Sequence, residues 1–550
     1  MQSGEKMNFM ANETEQKLRG GYYTPLDIAK FLVSWVRQSG AKKFLEPSCG
    51  DGVFLKAFDE VCLSKSSMIS AFELDFIEAA KSKSLSDGFD FKTDVVNTDF
   101  LAWSLSRLGG DKEQFDGVVG NPPFIRYQYL PELFQATAEK VFKTLGCKFT
   151  KHTNAWVPFV LASIALLKPG GRLAMVLPSE LIHVLHAQSL RTFLAKECKK
   201  LVIIDPEEIW FEGTLQGAVI LMAEKKTDIL QPNEGLGLLP VTGRSFLSEN
   251  PQVVFDRAEP VTGKALGGKW TIAFLKPSVR DLLDEVENLS RIDRFKKVAE
   301  VDVGIVTGAN KFFLVDDETV ETFGLQRWAH KMFGRSEHCP GIIYDEFQHL
   351  QNRDRGLPSN FLWFPEGSAN YHAEIADYIR HGESQDLQAR YKCSVRRCWY
   401  TVPSVYTTDI GMLKRCHDAP RLILNEAKAY TTDTAYRIRS LKQPAEEMVS
   451  AFVNPLTALS AELEGRTYGG GVLELVPSEI EKLLIVSPKD QPLSIKALNE
   501  IVKRSSMREA ILTHGCEVLK NTGLRTSQIE DIASAWIFMR NRRQRVSQDG

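Results

Sequence analysis

Residues 44–58 read FLEPSCGDGVFLKAF, and their reading decides the fold. An apolar run, Phe44-Leu45, reaches Glu46. A tight turn with glycines at 50 and 52 follows, and then Val53, Phe54, Leu55 and Phe58 recur at helical spacing. Strand, turn and helix in this order form the opening unit of a parallel α/β sheet. In such sheets a ligand sits beyond the carboxyl ends of the strands, where this turn lies. Gly50 and Gly52 allow positive φ and close backbone approach. A lone G-x-G is equally compatible with a plain structural turn, so the neighbouring segments carry the weight.

Those segments keep one rhythm. PLDIAKFLVSWV, 25–36, sets Ile28, Phe31, Leu32, Trp35 and Val36 on one helical face. Further strands are expected at MISAFELD (68–75), FKTDVVNTDF (91–100), FDGVVGN (115–121), RLAMVLP (172–178), KKLVIID (199–205) and AVILMAEK (218–225). With the first strand they make seven, separated in several places by helical patterns. This suits a Rossmann-like, doubly wound α/β domain over residues 1–240. Residues 241–264, rich in turn formers, read as a linker. Residues 265–550 lose the strand–helix rhythm and read as a second, α+β domain.

Composition excludes several classes. Hydrophobic residues make up 43% and charged residues 25%, and the formal net charge is −2. This is ordinary for a globular chain with sizeable cores and argues against a protein that coats nucleic acid through bulk positive charge. The nine cysteines show no CxxC and no metal-type Cys/His cluster, so they read as reduced thiols. The N-terminus is polar and lacks a signal peptide pattern. The most apolar stretch, AWVPFVLASIALL (155–167), is shorter than the roughly 20 residues that a membrane helix needs. A cytoplasmic, membrane-free monomer is expected.

Three acids fall at successive strand ends: Glu46, Glu73 and Asp99. A carboxylate after the second strand can accept from both ribose hydroxyls of a nucleoside. Asp99 could accept from an adenine amino group while Phe100 packs on the ring. The third glycine of GxGxxG is missing and no GxxxxGK[ST] occurs, so a ligand without a phosphate chain fits better than a dinucleotide or ATP.

The fourth strand runs into Asn121-Pro122-Pro123-Phe124. Two prolines fix two φ angles and hold the strand end rigid. An amino group conjugated to a ring is a poor nucleophile because its lone pair is delocalised. The Asn121 side-chain oxygen and the Pro122 carbonyl can accept its two N–H bonds and favour a more tetrahedral nitrogen. Phe124 offers a stacking face. This chemistry needs no metal and no Ser-His-Asp set, and neither is apparent in the sequence.

At these residues the chain resembles the γ-class, Taq-type N6-adenine DNA methyltransferases of restriction–modification systems. GGYYTPLDIAKFLV (20–33) looks like their N-terminal cofactor segment, with Thr24-Pro25 at its centre. FLEPSCGDG, AFELD, NTDF and GNPPF look like motifs I to IV in order. EIWFEGTLQGAVILMAEK (208–225) is similar to motif VIII, whose aromatic stacks on the flipped base; that role falls on Phe211, with Trp210 second. The resemblance implies S-adenosylmethionine as methyl donor, bound by Thr24, Glu46, Gly50, Glu73, Asp99 and Phe100. It implies no metal, double-stranded DNA as substrate, and a cognate restriction endonuclease. Phe124 departs from the more frequent tyrosine. Asn121 favours adenine, since cytosine-N4 enzymes usually carry serine there.

VDVGIVTGANKFFLVDD (301–317) and ELEGRTYGGGVLELVPSEIEKLLIV (462–486) look like parts of a Taq-type target-recognition domain. A protein-glutamine methylase needs no such module. Arg126, Arg396 and Arg397 are candidate DNA contacts; Arg540–Arg545 reads as a solvated helix end. His183 and His186 lack a third ligand for a metal. Glu426-x-Lys428 with Asp433 has the outline of a nuclease site but is better read as recognition-domain structure. The rival readings are a bifunctional restriction–modification enzyme and an RNA or protein amino-methyltransferase.

Overall fold

The computed structural model describes residues 24–109, 114–208, 210, 217–487 and 492–544. The chain divides into two compact units, Met1–Phe274 and Leu275–Gly550.

The first unit is built on β1 (Lys43–Glu46), β2 (Met68–Glu73), β3 (Lys92–Asn97), β4 (Phe115–Gly120), β5 (Leu167–Pro178), β6 (Cys198–Pro206), β7 (Ala218–Lys225), β8 (Gly235–Val241) and β9 (Pro260–Val261). They form one sheet in the order β3-β2-β1-β4-β5-β7-β6-β8-β9. Strands β1 to β5 run parallel, and β7 is antiparallel to both β5 and β6. The order reverses between β1 and β4, the switch point outside whose carboxyl ends ligands bind in open α/β sheets.

The seven expected strands are all present in this mixed sheet. Two more extend it: β8 closes the stretch expected as the first domain, and β9 lies where a linker was expected. β8 runs parallel to β6, and β9 pairs antiparallel with β8. The glycines of β8 have a steric role. A Cβ on Gly235 would stand 2.8 Å from Pro260 Cβ, and one on Gly237 would stand 2.6 Å from Ala258 Cβ. These glycines make room for a crossing strand rather than release the chain. The division between the two compact units falls after Phe274.

Helix α1 (Leu26–Arg37) buries the predicted face and more: Ile28, Phe31, Leu32, Trp35 and Val36, with Ala29 and Val33. Trp35 is fully buried against Phe255 of the helix Pro251–Arg257, with ring centroids 4.7 Å apart. Helix α2 (Val53–Glu60) follows the turn after β1, and α3 (Phe76–Ser86) follows β2. Helix α4 (Phe100–Leu105) follows β3, and the almost wholly buried α5 (Trp156–Leu166) leads into β5. No helix of the described residues is long and apolar enough to cross a membrane.

The second unit is α+β, as expected. Its described residues form two four-stranded sheets, one three-stranded sheet and one two-stranded sheet. One apolar core gathers Phe312, Phe361, Phe364 and Tyr378. The basic C-terminal helix, Thr526–Gln544, is not a solvated end. Arg543 is 4% exposed, its Nε 2.9 Å from one Glu462 oxygen and its Nη2 2.8 Å from the other. Arg540 pairs with Asp418. Basic side chains that meet carboxylates far back in sequence are structural, and Arg545 lies outside the described residues.

Candidate active site

The turn between β1 and α2 is set by backbone geometry. Gly50 has φ +53° and Gly52 φ +91°, where a side chain is strained. The turn is tied down at several points. The Cys49 N–H donates to Phe72 O at 2.9 Å, and the Gly50 N–H donates to Glu73 Oε2 at 2.9 Å. Ser82 of α3 donates its hydroxyl to Gly50 O at 2.7 Å. The other Glu73 oxygen accepts from the Asp75 N–H at 2.8 Å. Glu73 therefore braces the turn; accepting from a ligand would use the second lone pairs of the same oxygens.

Glu46 ends β1 fully buried, and neither of its carboxylate oxygens has a hydrogen-bond partner among the described residues. Burial, with the negative charges of Glu73 and Asp51, raises its pKa well above the usual carboxylate range. A buried carboxylate without a donor is costly to ionise unless a cation or donor joins it. This is what a site for a cationic ligand looks like before the ligand is counted. A sulfonium- and ammonium-bearing methyl donor fits that donor set.

Asp99 caps α4, accepting from the Leu101 N–H at 2.8 Å and the Ala102 N–H at 3.4 Å. Phe100 is 2% exposed, with its ring among Phe72, Trp103 and Phe159. It packs in the core rather than standing on the rim. Leu74, directly after Glu73, is 70% exposed. It is the apolar side chain at the end of β2 that the sequence reading passed over, although it stood inside the quoted AFELD.

At the end of β4, Asn121 is held from two sides. Its Nδ2 donates to Thr24 Oγ1 at 3.2 Å, and its backbone carbonyl accepts from Ser48 Oγ at 3.2 Å. Thr24 is 4% exposed. Expected among the cofactor residues, it is in contact with the Asn121 amide. Ser48, within the motif I stretch, couples that turn to the Asn121 loop. Pro122 is buried, and Phe124 is half-buried. The following backbone is fixed by the Ala155 N–H donating to Ile125 O at 2.9 Å.

Arg126 is exposed, and its charge acts on Glu180 just beyond β5. Burial pushes the Glu180 carboxyl up, while Arg126 and the Asn154 amide at 2.9 Å pull it partly back. Tyr127 packs near Phe149, centroids 6.2 Å apart, and its carbonyl accepts from Gln135. Phe211 lies outside the described residues. Trp210 is 7% exposed and stacks on Phe246 at 5.7 Å, so it is a core ring.

In the second unit, Arg396 donates to the Val306 and Trp399 carbonyls at 2.7 and 3.2 Å, a structural use of the guanidinium. Arg397 is exposed and pairs with Glu366 at 3.1 Å. Lys428 pairs with Asp409, and Asp433 accepts from Asn310 Nδ2 at 3.1 Å, so Glu426, Lys428 and Asp433 do not form a nuclease-like set. Among the described residues no three His, Cys, Asp or Glu side chains converge as metal ligands.

Residues 53–211 match the family of the Eco57I restriction-modification methylase, and residues 267–519 match the C-terminal domain family of the type II methyltransferase M.Eco57I. The type II methyltransferase M.AccI of Acinetobacter calcoaceticus is 24% identical over 501 residues, 87% of each chain. The type II methyltransferase M.XamI of Xanthomonas campestris pv. amaranthicola is 22% identical over 476 residues, 85% of each. The type IIG restriction endonuclease BpuSI is similar with a TM-score of 0.41 and 13% identity, over 95% of this chain and 66% of its own.

Proposed function

We propose that this chain, whose two parts match the Eco57I restriction-modification methylase family and the M.Eco57I C-terminal domain family, is a restriction–modification DNA methyltransferase that methylates the exocyclic N6 of adenine at a specific site in duplex DNA. The observation that carries this reading is Asn121. It ends β4 at the switch-point edge, its amide nitrogen on Thr24 and its backbone carbonyl on Ser48 of the turn after β1.

With Nδ2 directed to Thr24, the Asn121 amide presents its oxygen to donors. That oxygen and the Pro122 carbonyl accept the two N–H bonds of the target amino group. The nitrogen lone pair is freed from the ring and aimed at the methyl group. The prolines keep both acceptors in place, so the effect is preorganisation rather than proton transfer. Phe124 stacks on the base, and Phe211 is proposed to close the other face. Duplex DNA hides the amino group, so the base is extruded first, at a cost of roughly a few kcal/mol.

S-adenosylmethionine, when bound, supplies an electrophilic sulfonium methyl. Glu46 faces its positive charge, Gly50 lets it approach the turn, Glu73 and Asp99 take its hydroxyl and amino donors, and Leu74 walls its ring. Residues 1–274 thus form the catalytic domain. Residues 275–550 form the target-recognition domain and position the DNA, with Arg126 and Arg397 available to phosphates. A cognate restriction endonuclease is the expected partner.

The test is methyl transfer from labelled cofactor to mixed-sequence DNA. Wild type should label DNA but neither RNA nor glutamine-bearing protein, and Asn121→Ala should abolish labelling. Undiminished transfer by Asn121→Ala contradicts the assigned role. Plasmid incubated with Mg²⁺ should remain uncut, which separates this reading from a bifunctional enzyme.

A further inference from the structure

Strands β4 and β5 are parallel neighbours, with Gly120 opposite Met175. Asn121 stands just beyond β4. Glu180 stands just beyond β5, on the side away from β1. It is half-buried, and the methyl-transfer chemistry, which passes no proton through a carboxylate, gives it no task.

The backbone under Glu180 is anchored. The Ser179 N–H donates to Gly217 O, just before β7, at 2.8 Å. Arg191 donates to the carbonyls of Leu181 and Val184 at 3.0 and 2.9 Å. The short helix Glu180–His183 is therefore fixed from two directions.

Its side chain reaches the turn that precedes α5. Asn154 Nδ2 donates to Glu180 Oε2 at 2.9 Å. A carboxylate only accepts and the amide donates only from its nitrogen, so this bond sets which way Asn154 turns. The next residue, Ala155, is 1% exposed, and its N–H donates to Ile125 O at 2.9 Å. Ile125 directly follows Phe124. Farther along, the Tyr129 N–H donates to Arg126 O at 3.0 Å, and Gln135 Nε2 donates to Leu130 O at 2.8 Å. The segment after Phe124 is thus held at its far end by its own turn. At its near end it is held by the start of α5, beside the Asn154 that Glu180 orients.

A carboxylate is a costly acceptor for a single amide. Burial pushes the Glu180 pKa up, and a glutamine would accept the same bond without a charge to desolvate. The charge has a use: it acts on Arg126, the residue after Ile125. Glu180 bears on two adjacent positions of the segment, on Ile125 by way of Asn154 and Ala155, and on Arg126 by electrostatic attraction.

We propose that Glu180 is a positioning residue for the target base: through Asn154 and Ala155 it sets the backbone path at Ile125, and so the orientation in which the Phe124 ring meets the extruded base. It touches no reacting atom. The inference rests on the methyl-transfer reading and deepens it on the β5 side of the site.

The test uses the full chain and two readouts. Steady-state methyl transfer to mixed-sequence duplex DNA gives kcat and the KM for S-adenosylmethionine. With 4-fluorophenylalanine in place of Phe124, the ¹⁹F signal reports the surroundings of that ring whether or not transfer occurs. Glu180→Ala should lower kcat about 10- to 100-fold. Its KM for the methyl donor should stay within about twofold of wild type. The ¹⁹F signal should broaden or split. Glu180→Gln keeps the acceptor for Asn154 and should recover most of kcat, which separates loss of the bond from loss of fold. Asn154→Ala should reproduce Glu180→Ala, and the double variant should be no slower than either alone, because the two residues act in one chain of contacts. Wild-type kcat in Glu180→Ala, an unchanged ¹⁹F signal, or a Glu180→Gln enzyme as slow as Glu180→Ala overturns the proposal. If wild type transfers no methyl group to DNA, the methyl-transfer reading fails instead, and the ¹⁹F comparison still decides whether Glu180 orders Phe124.

Discussion

Asn121 Nδ2 lies 3.2 Å from Thr24 Oγ1, a hydrogen bond that joins residues 97 positions apart. It fixes which end of the amide faces the substrate. Thr24→Val removes the acceptor at nearly constant volume. Misplacing an acceptor of this kind should lower kcat about 10- to 100-fold with a smaller change in KM for the methyl donor. Thr24→Ser should restore most of kcat. Steady-state methyl transfer separates the two, and a Thr24→Val enzyme with wild-type kcat contradicts the positioning role.

Glu46 predicts a pH dependence. Its pKa is raised in the folded protein, so between the unfolded and folded values the native state holds the proton more tightly. Stability of the unliganded protein should therefore fall as pH rises through that window. Binding of a cationic cofactor needs the ionised form, so affinity should rise with pH over the same window. Glu46→Gln should stabilise the unliganded protein at pH 8 by about 1–3 kcal/mol. It should weaken cofactor binding at least about tenfold. Urea unfolding and calorimetric titration report the two effects; a Glu46→Gln protein that binds cofactor as wild type does would remove Glu46 from the site.

Arg191 supports the segment beyond β5. It is fully buried and donates to the carbonyls of Leu181 and Val184 at 3.0 and 2.9 Å and of Gly268 at 3.0 Å. Burial lowers its pKa to about 9. Arg191→Leu strands these carbonyls and should destabilise the first unit by about 3 kcal/mol or more. Denaturant unfolding measures this, and a change under 1 kcal/mol would refute the role.

Much of the first unit was legible because its signals are local. Glu46, Glu73 and Asp99 each sit at the end of an apolar run, and Asn121 is framed by its own prolines. What escaped depends on distant partners. Gly235 and Gly237 look like loop residues until β9 crosses them. Ser82 reaches the turn after β1 from a helix 32 residues on. Phe100 appeared available for stacking, but the aromatic neighbours that bury it include Phe159 on a later helix. Arg396 and Arg543 read as surface cations because the Val306 carbonyl and the Glu462 carboxylate that hold them lie 90 and 81 residues away.

The Arg543–Glu462 pair gives a direct check on the second unit. Arg543→Met leaves a carboxylate that is 5% exposed without its counter-charge and should cost about 3–5 kcal/mol. Adding Glu462→Leu should recover most of that loss in thermal or denaturant unfolding. Equal stability of Arg543→Met and wild type contradicts the burial described.

The central claim, transfer to the adenine amino group at a defined site, is tested most directly in DNA from a methylase-free host that expresses the protein. Long-read sequencing, with nucleoside analysis of the same DNA, reports the modified base and its context. The account predicts N6-methyladenine in one recurring sequence context, absent when Asn121→Ala is expressed. Modified cytosine, unmodified DNA, or N6-methyladenine that persists with Asn121→Ala would contradict it.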